Sequence, residues 1–286
     1  MKGTHTMQAR FAFLFGLLAY GAGFAVLLYF IGFSADLLTP TSVDHGHFAA
    51  TTTEAIWIDL LLIGLFGVQH SVMARRSFKV WWTRIVPQAV ERSIFVFATS
   101  LVLALLFWQW RPIAEPTLWH VRQPLAVHLL MAIFWLGWAV VLVSTFLINH
   151  FELFGLEQVF ARLTGREMAP AQFKTPLLYR YVRHPLYLGL LLSFWSIPVM
   201  SAGHLLFSAG ASVYTLIGIW FEERDLVAQF GERYRRYCKE VGMLLPRGSP
   251  RTHTLLWALL WAIIACAILL TGVSFEFAGL HAGTRL

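Results

Sequence analysis

The chain is 286 residues long, 58% hydrophobic and only 13% charged, with a mean hydropathy of +0.64. Soluble domains carry about 25% charged residues, so a water-facing globule is excluded, and the 24 Phe and 12 Trp must face lipid or one another. The net charge of +7 would suggest nucleic acid in a soluble chain, while Cys238 and Cys266 supply neither a disulfide framework nor a cysteine metal site.

Apolar stretches run at about 11–33, 55–74, 93–110, 125–148 and 254–272, each near the roughly 20 residues that a helix needs to cross hydrocarbon. The first is too long for a signal-peptide core and no small-residue cleavage site follows it, so it reads as a retained crossing. A sixth stretch, Leu186 to Phe221, is too long for one upright crossing and is interrupted by Pro198 and Ser201-Ala202-Gly203. It reads as a helical hairpin of two short crossings. No alternating strand pattern recurs, so a barrel is excluded. The expected fold is all-α, a polytopic integral-membrane helix bundle of about seven crossings in a single domain over 1–286.

Charge placement tests that count, because Lys and Arg concentrate on the cytoplasmic side. With the N-terminus inside, 19 of the 22 fall in inside segments, the exceptions being Arg111, Arg122 and Arg285. Topology thus accounts for the excess charge, the expected partner is the lipid bilayer, and no nucleic acid is expected. Two inside segments, 149–185 and 221–253, are longer than a connection requires and are rich in Arg, Tyr, Glu and His. Function is expected there.

The densest constellation is Tyr179-Arg180-Tyr181-Val182-Arg183-His184-Pro185-Leu186-Tyr187, where an inside loop enters the membrane. Pro185 suits a first helical turn, and free backbone donors beside Arg183 and His184 would attract a carboxylate or phosphate. An aromatic and arginine anchor at the interface is the alternative. The second constellation is Glu222-Glu223-Arg224-Asp225, followed by Phe230-Gly231, Tyr234, Tyr237 and Leu245-Pro246. Its carboxylates are solvated surface groups, or they pair with Arg183 or Arg224, or they await a cation. A hairpin returns them to the depth of Arg183 and His184.

Within the spans, His70 lies near the inner end of the second crossing beside Gln69 and Ser71, as a base or as a helix-to-helix hydrogen bond. Asp59 is the acid placed well inside a span, at a cost of roughly 2.5–3.5 kcal/mol. It shares a face with His70, but the 11-residue offset puts the two about 16 Å apart, so Asp59 anchors packing or lines an entry path. The remaining histidines are scattered, His45-x-His47 being a weak pair, and no metal site is expected. No Gly-rich strand-to-helix fingerprint exists, which excludes a Rossmann-type nucleotide site.

Arg183-His184-Pro-x-Tyr187-x-Gly189, a helical hairpin, and Glu222-Glu223-x-x-Leu226-x-x-x-Phe230-Gly231-x-x-Tyr234-x-x-Tyr237 resemble the membrane methyltransferases of isoprenylcysteine and of phospholipid head groups. Gln69-His70-Ser71-Val72-Met73-Ala74-Arg75, Glu91-Arg92-Ser93 and His150-Phe151-Glu152-Leu153-Phe154-Gly155-Leu156-x-Gln158 extend the resemblance to the bacterial methanethiol S-methyltransferases, with the nitrite/nitric-oxide-reduction-associated membrane proteins as relatives. The resemblance implies S-adenosylmethionine-dependent methylation of a small thiol, methanethiol to dimethyl sulfide, in the bacterial inner membrane with the cofactor site on the cytoplasmic side. A prenylcysteine or lipid acceptor, or a non-enzymatic membrane protein or transporter, are the alternatives. It further implies a cofactor-binding core at 150–253, with His150, Gln158, Tyr179, Arg183, His184, Tyr187, Glu222, Glu223 and Tyr234 around the cofactor. His70, Asp59 and Arg92 are then the candidate catalytic residues. The chemistry agrees: the cofactor's carboxylate needs a cation, its ammonium an anion, and its adenine and sulfonium aromatic faces.

Overall fold

The computed structural model describes residues 2–170 and 172–247. In chain order it holds α1 (Lys2–Ala35), α2 (Thr52–Ala74), α3 (Arg76–Trp82), α4 (Gln88–Gln109), β1 (Thr117–His120), α5 (Pro124–Ile148), α6 (His150–Leu153) and α7 (Leu156–Thr164). A 3-10 turn (Leu177–Arg180) leads to α8 (Pro185–Trp195), β2 (Val199–Ser201), α9 (Ala202–Phe230) and α10 (Glu232–Glu240). Five helices, α1, α2, α4, α5 and α9, are long and apolar enough to cross a bilayer. The protein is an all-α polytopic membrane bundle. The expected crossing at 254–272, with the end of the expected core at 248–253, lies outside the described residues.

Local chemistry sets the helix ends. A capping box starts α2, Glu54 N donating to Thr51 Oγ1 at 3.3 Å and Thr51 N to Glu54 Oε2 at 2.9 Å. Pro occupies the first turn of α5 and α8, and Ser201 Oγ accepts from His204 N at 2.9 Å to begin α9. The expected hairpin is present, but its arms are unequal. Its first arm, α8, has 11 residues, a rise of about 16 Å, and stops before Pro198. The second, α9, has 29, because the polar residues after Phe221 continue the helix beyond the apolar run. Beyond α8, β2 pairs antiparallel with β1, Thr117 opposite Ser201 and His120 opposite Val199. The end of α2, the start of α4, the end of α5, the start of α8 and the end of α9 meet at the opposite, Arg-rich end.

Lipid tails give no hydrophobic drive for helix association, so close packing and interhelical hydrogen bonds must supply it. The tightest contact joins α5 and α8: a Cβ on Gly189 would stand 2.5 Å from Gly137 O, and one on Gly137 would stand 2.4 Å from Ser193 Oγ. Ser193 Oγ donates to Phe134 O at 3.1 Å across the same seam. Gly189→Ala should therefore force the helices apart at a cost of about 1–3 kcal/mol, read as a lower melting temperature in detergent. Gly64→Ala, where a Cβ would meet nothing within 4 Å among the described residues, should not lower it.

The buried aromatic core lies away from the Arg-rich end. Phe33, Phe107, Trp110, Phe134, Trp138, Phe194 and Phe207 form it, with Phe33 and Phe107 centroids 4.8 Å apart. Thr41 Oγ1 donates to Phe107 O at 2.9 Å and Trp110 Nε1 to Val43 O at 3.0 Å, tying down the first loop. The antiparallel register of α5 and α8 places Pro185 about one and a half turns short of the end of α5, so the segment carrying Arg183 and His184 is recessed below the ends of the long helices.

Candidate cofactor and acceptor site

The recess is built by a backbone pairing between distant segments. Val182 and Gly242 form a parallel bridge, Arg183 N donates to Gly242 O at 2.8 Å, and His184 N donates to Met243 O at 3.1 Å. Two of the donors expected to be free at the start of α8 are therefore taken by the chain itself. The Arg183 side chain completes the clamp: Nη1 donates to Val241 O at 2.7 Å and Cys238 O at 3.1 Å, while Nε and Nη2 reach Glu223 Oε1 at 2.8 and 2.7 Å. Nε2 of the buried His184 lies 3.1 Å from the same oxygen.

Glu222 is engaged differently. Tyr187 Oη donates to its Oε2 at 2.7 Å, His184 Nδ1 stands 4.0 Å away, and the side chain remains 41% exposed. The two adjacent carboxylates thus divide: Glu223 is held through Oε1 by Arg183 and lies against His184, and Glu222 is the more exposed. Tyr179 sits beside Glu222 and the Ser144 side chain; burial, then the Glu222 charge, push its hydroxyl above the ordinary value. Tyr234 is fully buried, its hydroxyl has no hydrogen-bond partner among the described residues, and burial followed by the Glu223 charge raises it likewise. Both phenols therefore stay protonated donors at physiological pH. Tyr237, pushed up to about 12 chiefly by burial, donates to Tyr179 O at 2.5 Å and packs on Phe173, whose ring lies 5.3 Å from its own.

Seven of the nine expected cofactor residues meet here: Tyr179, Arg183, His184, Tyr187, Glu222, Glu223 and Tyr234. His150 and Gln158 belong to a neighbouring cluster. The buried His150 has Tyr20 Oη at 3.0 Å from Nε2 and Thr145 Oγ1 at 2.8 Å from Nδ1, with its ring stacked on Phe146 at 4.2 Å. Burial holds its imidazole neutral, below the usual histidine value. Gln158 Nε2 donates to Glu152 O at 3.0 Å. This cluster is sewn to α4 by Arg92 Nε to Leu153 O, 2.7 Å, and by Ser93 Oγ to Gly155 O, 3.2 Å. Gly155 has φ +84° and would bring a Cβ to 2.7 Å from Ser93 N, which only glycine tolerates.

Of the candidate catalytic residues, His70 and Arg92 are neighbours and Asp59 is apart. His70 packs between Phe95, 4.8 Å, and Phe66, 5.4 Å, with Tyr214 at 6.2 Å; Arg92 and Arg75 are its charged neighbours. Arg92 lies 4.8 Å over Phe95. Arg75 bridges the end of α2 to α9 through Asp225 Oδ2 at 3.0 Å. Asp59 is fully buried at the other end of α2, its Oδ1 accepting from Arg111 N at 2.9 Å. It holds the chain leaving α4 and does not touch the recess. Among residues not singled out from the sequence, Phe173, Gly242, Met243 and Ser144 contribute through backbone and packing, which carry no motif. Tyr214, Gly218 and Glu222, spaced at i, i+4 and i+8 on α9, were readable as one face.

An exposed carboxylate and aromatic groups therefore line one recess, while the Arg183 cation beside them is taken up by Glu223 and two backbone carbonyls. No protein-family profile and no solved structure matches the chain. Methanethiol S-methyltransferase 1 of Bradyrhizobium diazoefficiens is 52% identical over 236 residues, 82% of each chain. Methanethiol S-methyltransferase of Mycobacterium tuberculosis is 49% identical over 248 residues, 87% of this chain and 100% of that one. Nurim of Mus musculus is more distant, at 31% over 196 residues, 64% of this chain and 73% of its own. With two relatives of about half-identical sequence along most of its length, the chain belongs to the methanethiol S-methyltransferase family.

Proposed function

We propose that the protein methylates methanethiol with S-adenosylmethionine, releasing dimethyl sulfide and S-adenosylhomocysteine. The observation that carries the reading is the division of the carboxylate pair: Glu223 locks Arg183 and His184 in place, and Glu222, held by Tyr187, is left facing the recess. Three features of the site fit the cofactor. Glu222 supplies an anion for the ammonium, and the Tyr234 hydroxyl, without a hydrogen-bond partner among the described residues, supplies a buried donor. Tyr179 and Tyr187 offer aromatic faces to the adenine or sulfonium.

When bound, the cofactor supplies an electrophilic methyl group: the thiolate's electron pair forms the new S–C bond, and the broken bond's pair stays on the donor sulfur. The chain's own residues position the partners, which is where most of the rate of such a displacement comes from. His70 takes the thiol proton and passes it to water at the Arg-rich end, while Arg75 and Arg92 stabilise the thiolate by their charge. The lipid bilayer surrounds the bundle, and the distribution of basic residues supports a cytoplasmic cofactor mouth in a bacterial inner membrane.

Purified protein given S-adenosylmethionine and methanethiol should release dimethyl sulfide into the headspace, measured by gas chromatography. Product from a prenylated thiol or a lipid, with none from methanethiol, would reject this acceptor. In sealed cells, cysteines placed at 222–240 should react with permeant maleimide and resist an impermeant one. Labelling from outside would reverse the orientation.

A further inference from the structure

On α9, between Glu222 and the Tyr214 ring that neighbours His70, stands Gly218, which carries no side chain. Tyr214, Gly218 and Glu222 follow one another at one-turn intervals along the helix. Among the described residues, a Cβ at Gly218 would meet only Tyr187 Oη, 4.0 Å away, so these residues leave the space over this glycine clear. Tyr187 closes its cofactor side by donating to Glu222. Tyr214 closes the far side: its ring stands 5.1 Å from Phe66 and 6.2 Å from His70, and its hydroxyl faces the Ser71 side chain. Gly67 on α2 lets that ring come close, since a Cβ there would lie 3.1 Å from Tyr214 Cδ2. Within this boundary, the hydrogen bond of His70 among the described residues is a 3.5 Å contact from Nδ1 to Thr99 Oγ1.

We propose that the clearing over Gly218, bounded by Tyr187, Tyr214 and His70, is the acceptor-thiol subsite, and that Gly218 and Tyr214 set the size of thiol it admits. The inference rests on the thiol methyltransferase reading above and adds a location and a size filter to it. Three features match a small alkyl thiol. The walls are aromatic, which suits a polarisable sulfur and a methyl group. Arg75 and Arg92 are the charged neighbours of the histidine that forms one wall, and they favour a thiolate over any cationic acceptor. The clearing adjoins Tyr187, so a sulfur there stands next to the residue held by Glu222. A prenyl chain or a lipid head group would need more room than the absent side chain of one glycine leaves.

The test uses the full-length protein and a series of methanethiol, ethanethiol and 1-propanethiol. A Cβ at position 218 fits without displacing a neighbour, so Gly218→Ala should fold normally and bind S-adenosylhomocysteine within twofold of the unmodified protein by calorimetry. It should raise the KM for methanethiol about tenfold and penalise ethanethiol further, since one methylene of lost space is worth about 10- to 200-fold. Tyr214→Ala should act in the opposite sense, raising the kcat/KM of propanethiol relative to methanethiol by about tenfold. An unchanged thiol profile in both variants, with cofactor-product binding intact, overturns the proposal. So does a Gly218→Ala variant that loses S-adenosylhomocysteine affinity, because the clearing would then belong to the cofactor. Unmodified protein that binds S-adenosylhomocysteine but methylates none of the three thiols rejects the activity itself, a result distinguishable from both.

Discussion

Glu222→Gln should weaken S-adenosylhomocysteine binding about 10- to 150-fold, the loss of one charge-assisted bond worth roughly 1.5–3 kcal/mol, with the melting temperature of the free protein unchanged. The substituted amide oxygen can still accept from Tyr187 Oη, now 2.7 Å from the carboxylate, so the local fold survives while the anion is lost. Glu223→Gln should do the reverse. Its Oε1 receives Arg183 Nε and Nη2 and lies 3.1 Å from His184 Nε2. Removing that charge leaves a guanidinium whose side chain is only 10% exposed with neutral partners alone. The expected loss is about 1.5–3 kcal/mol of stability, seen as a lower melting temperature and faster hydrogen exchange at the amides of Arg183 and His184, which donate to the Gly242 and Met243 carbonyls. Calorimetry and thermal denaturation on both variants separate the two roles. Equal losses of affinity, with no loss of stability in either, would make the carboxylates interchangeable and reject the division.

That division was not readable from two adjacent letters. Glu222 and Glu223 differ by about 100° of helix rotation, and which one meets Arg183 depends on how α8 leans on α9. The membrane crossings were legible because lipid demands long apolar helices, and the break near Pro198 because proline cannot continue one. The unequal arms were hidden, since hydropathy ends at Phe221 while the helix continues to Phe230. Backbone partners leave no trace in composition: the acceptors of Arg183 N and His184 N lie nearly 60 positions downstream, and the donor to Asp59 is the backbone of Arg111. Distance arithmetic along α2 had already separated Asp59 from His70. His150 sat in a motif shared with the family resemblance, yet its ring is satisfied by Thr145, five residues back, and by Tyr20, the second a contact 130 positions away that no local pattern encodes.

His70→Ala should lower kcat by roughly 10²–10⁴ while S-adenosylhomocysteine affinity stays within twofold. The imidazole contacts Phe66, Phe95 and Tyr214 but none of the residues around Glu222, so cofactor binding has no reason to follow it. The discriminating measurement is the pH–rate profile. A thiol needs help to ionise only below its own pKa, so the defect should shrink as pH rises and thiolate forms unaided. A histidine that merely packs between α2, α4 and α9 would instead lower the melting temperature and depress the rate by the same factor at every pH. Tyr214 and Thr99 keep their places in His70→Gln, which retains a polar group of similar reach without a basic ring nitrogen. That variant should recover the stability of the parent protein and none of its low-pH rate. Parallel profiles for the parent protein and His70→Ala would remove the imidazole from the proton transfer and leave the charges of Arg75 and Arg92 to ionise the thiol.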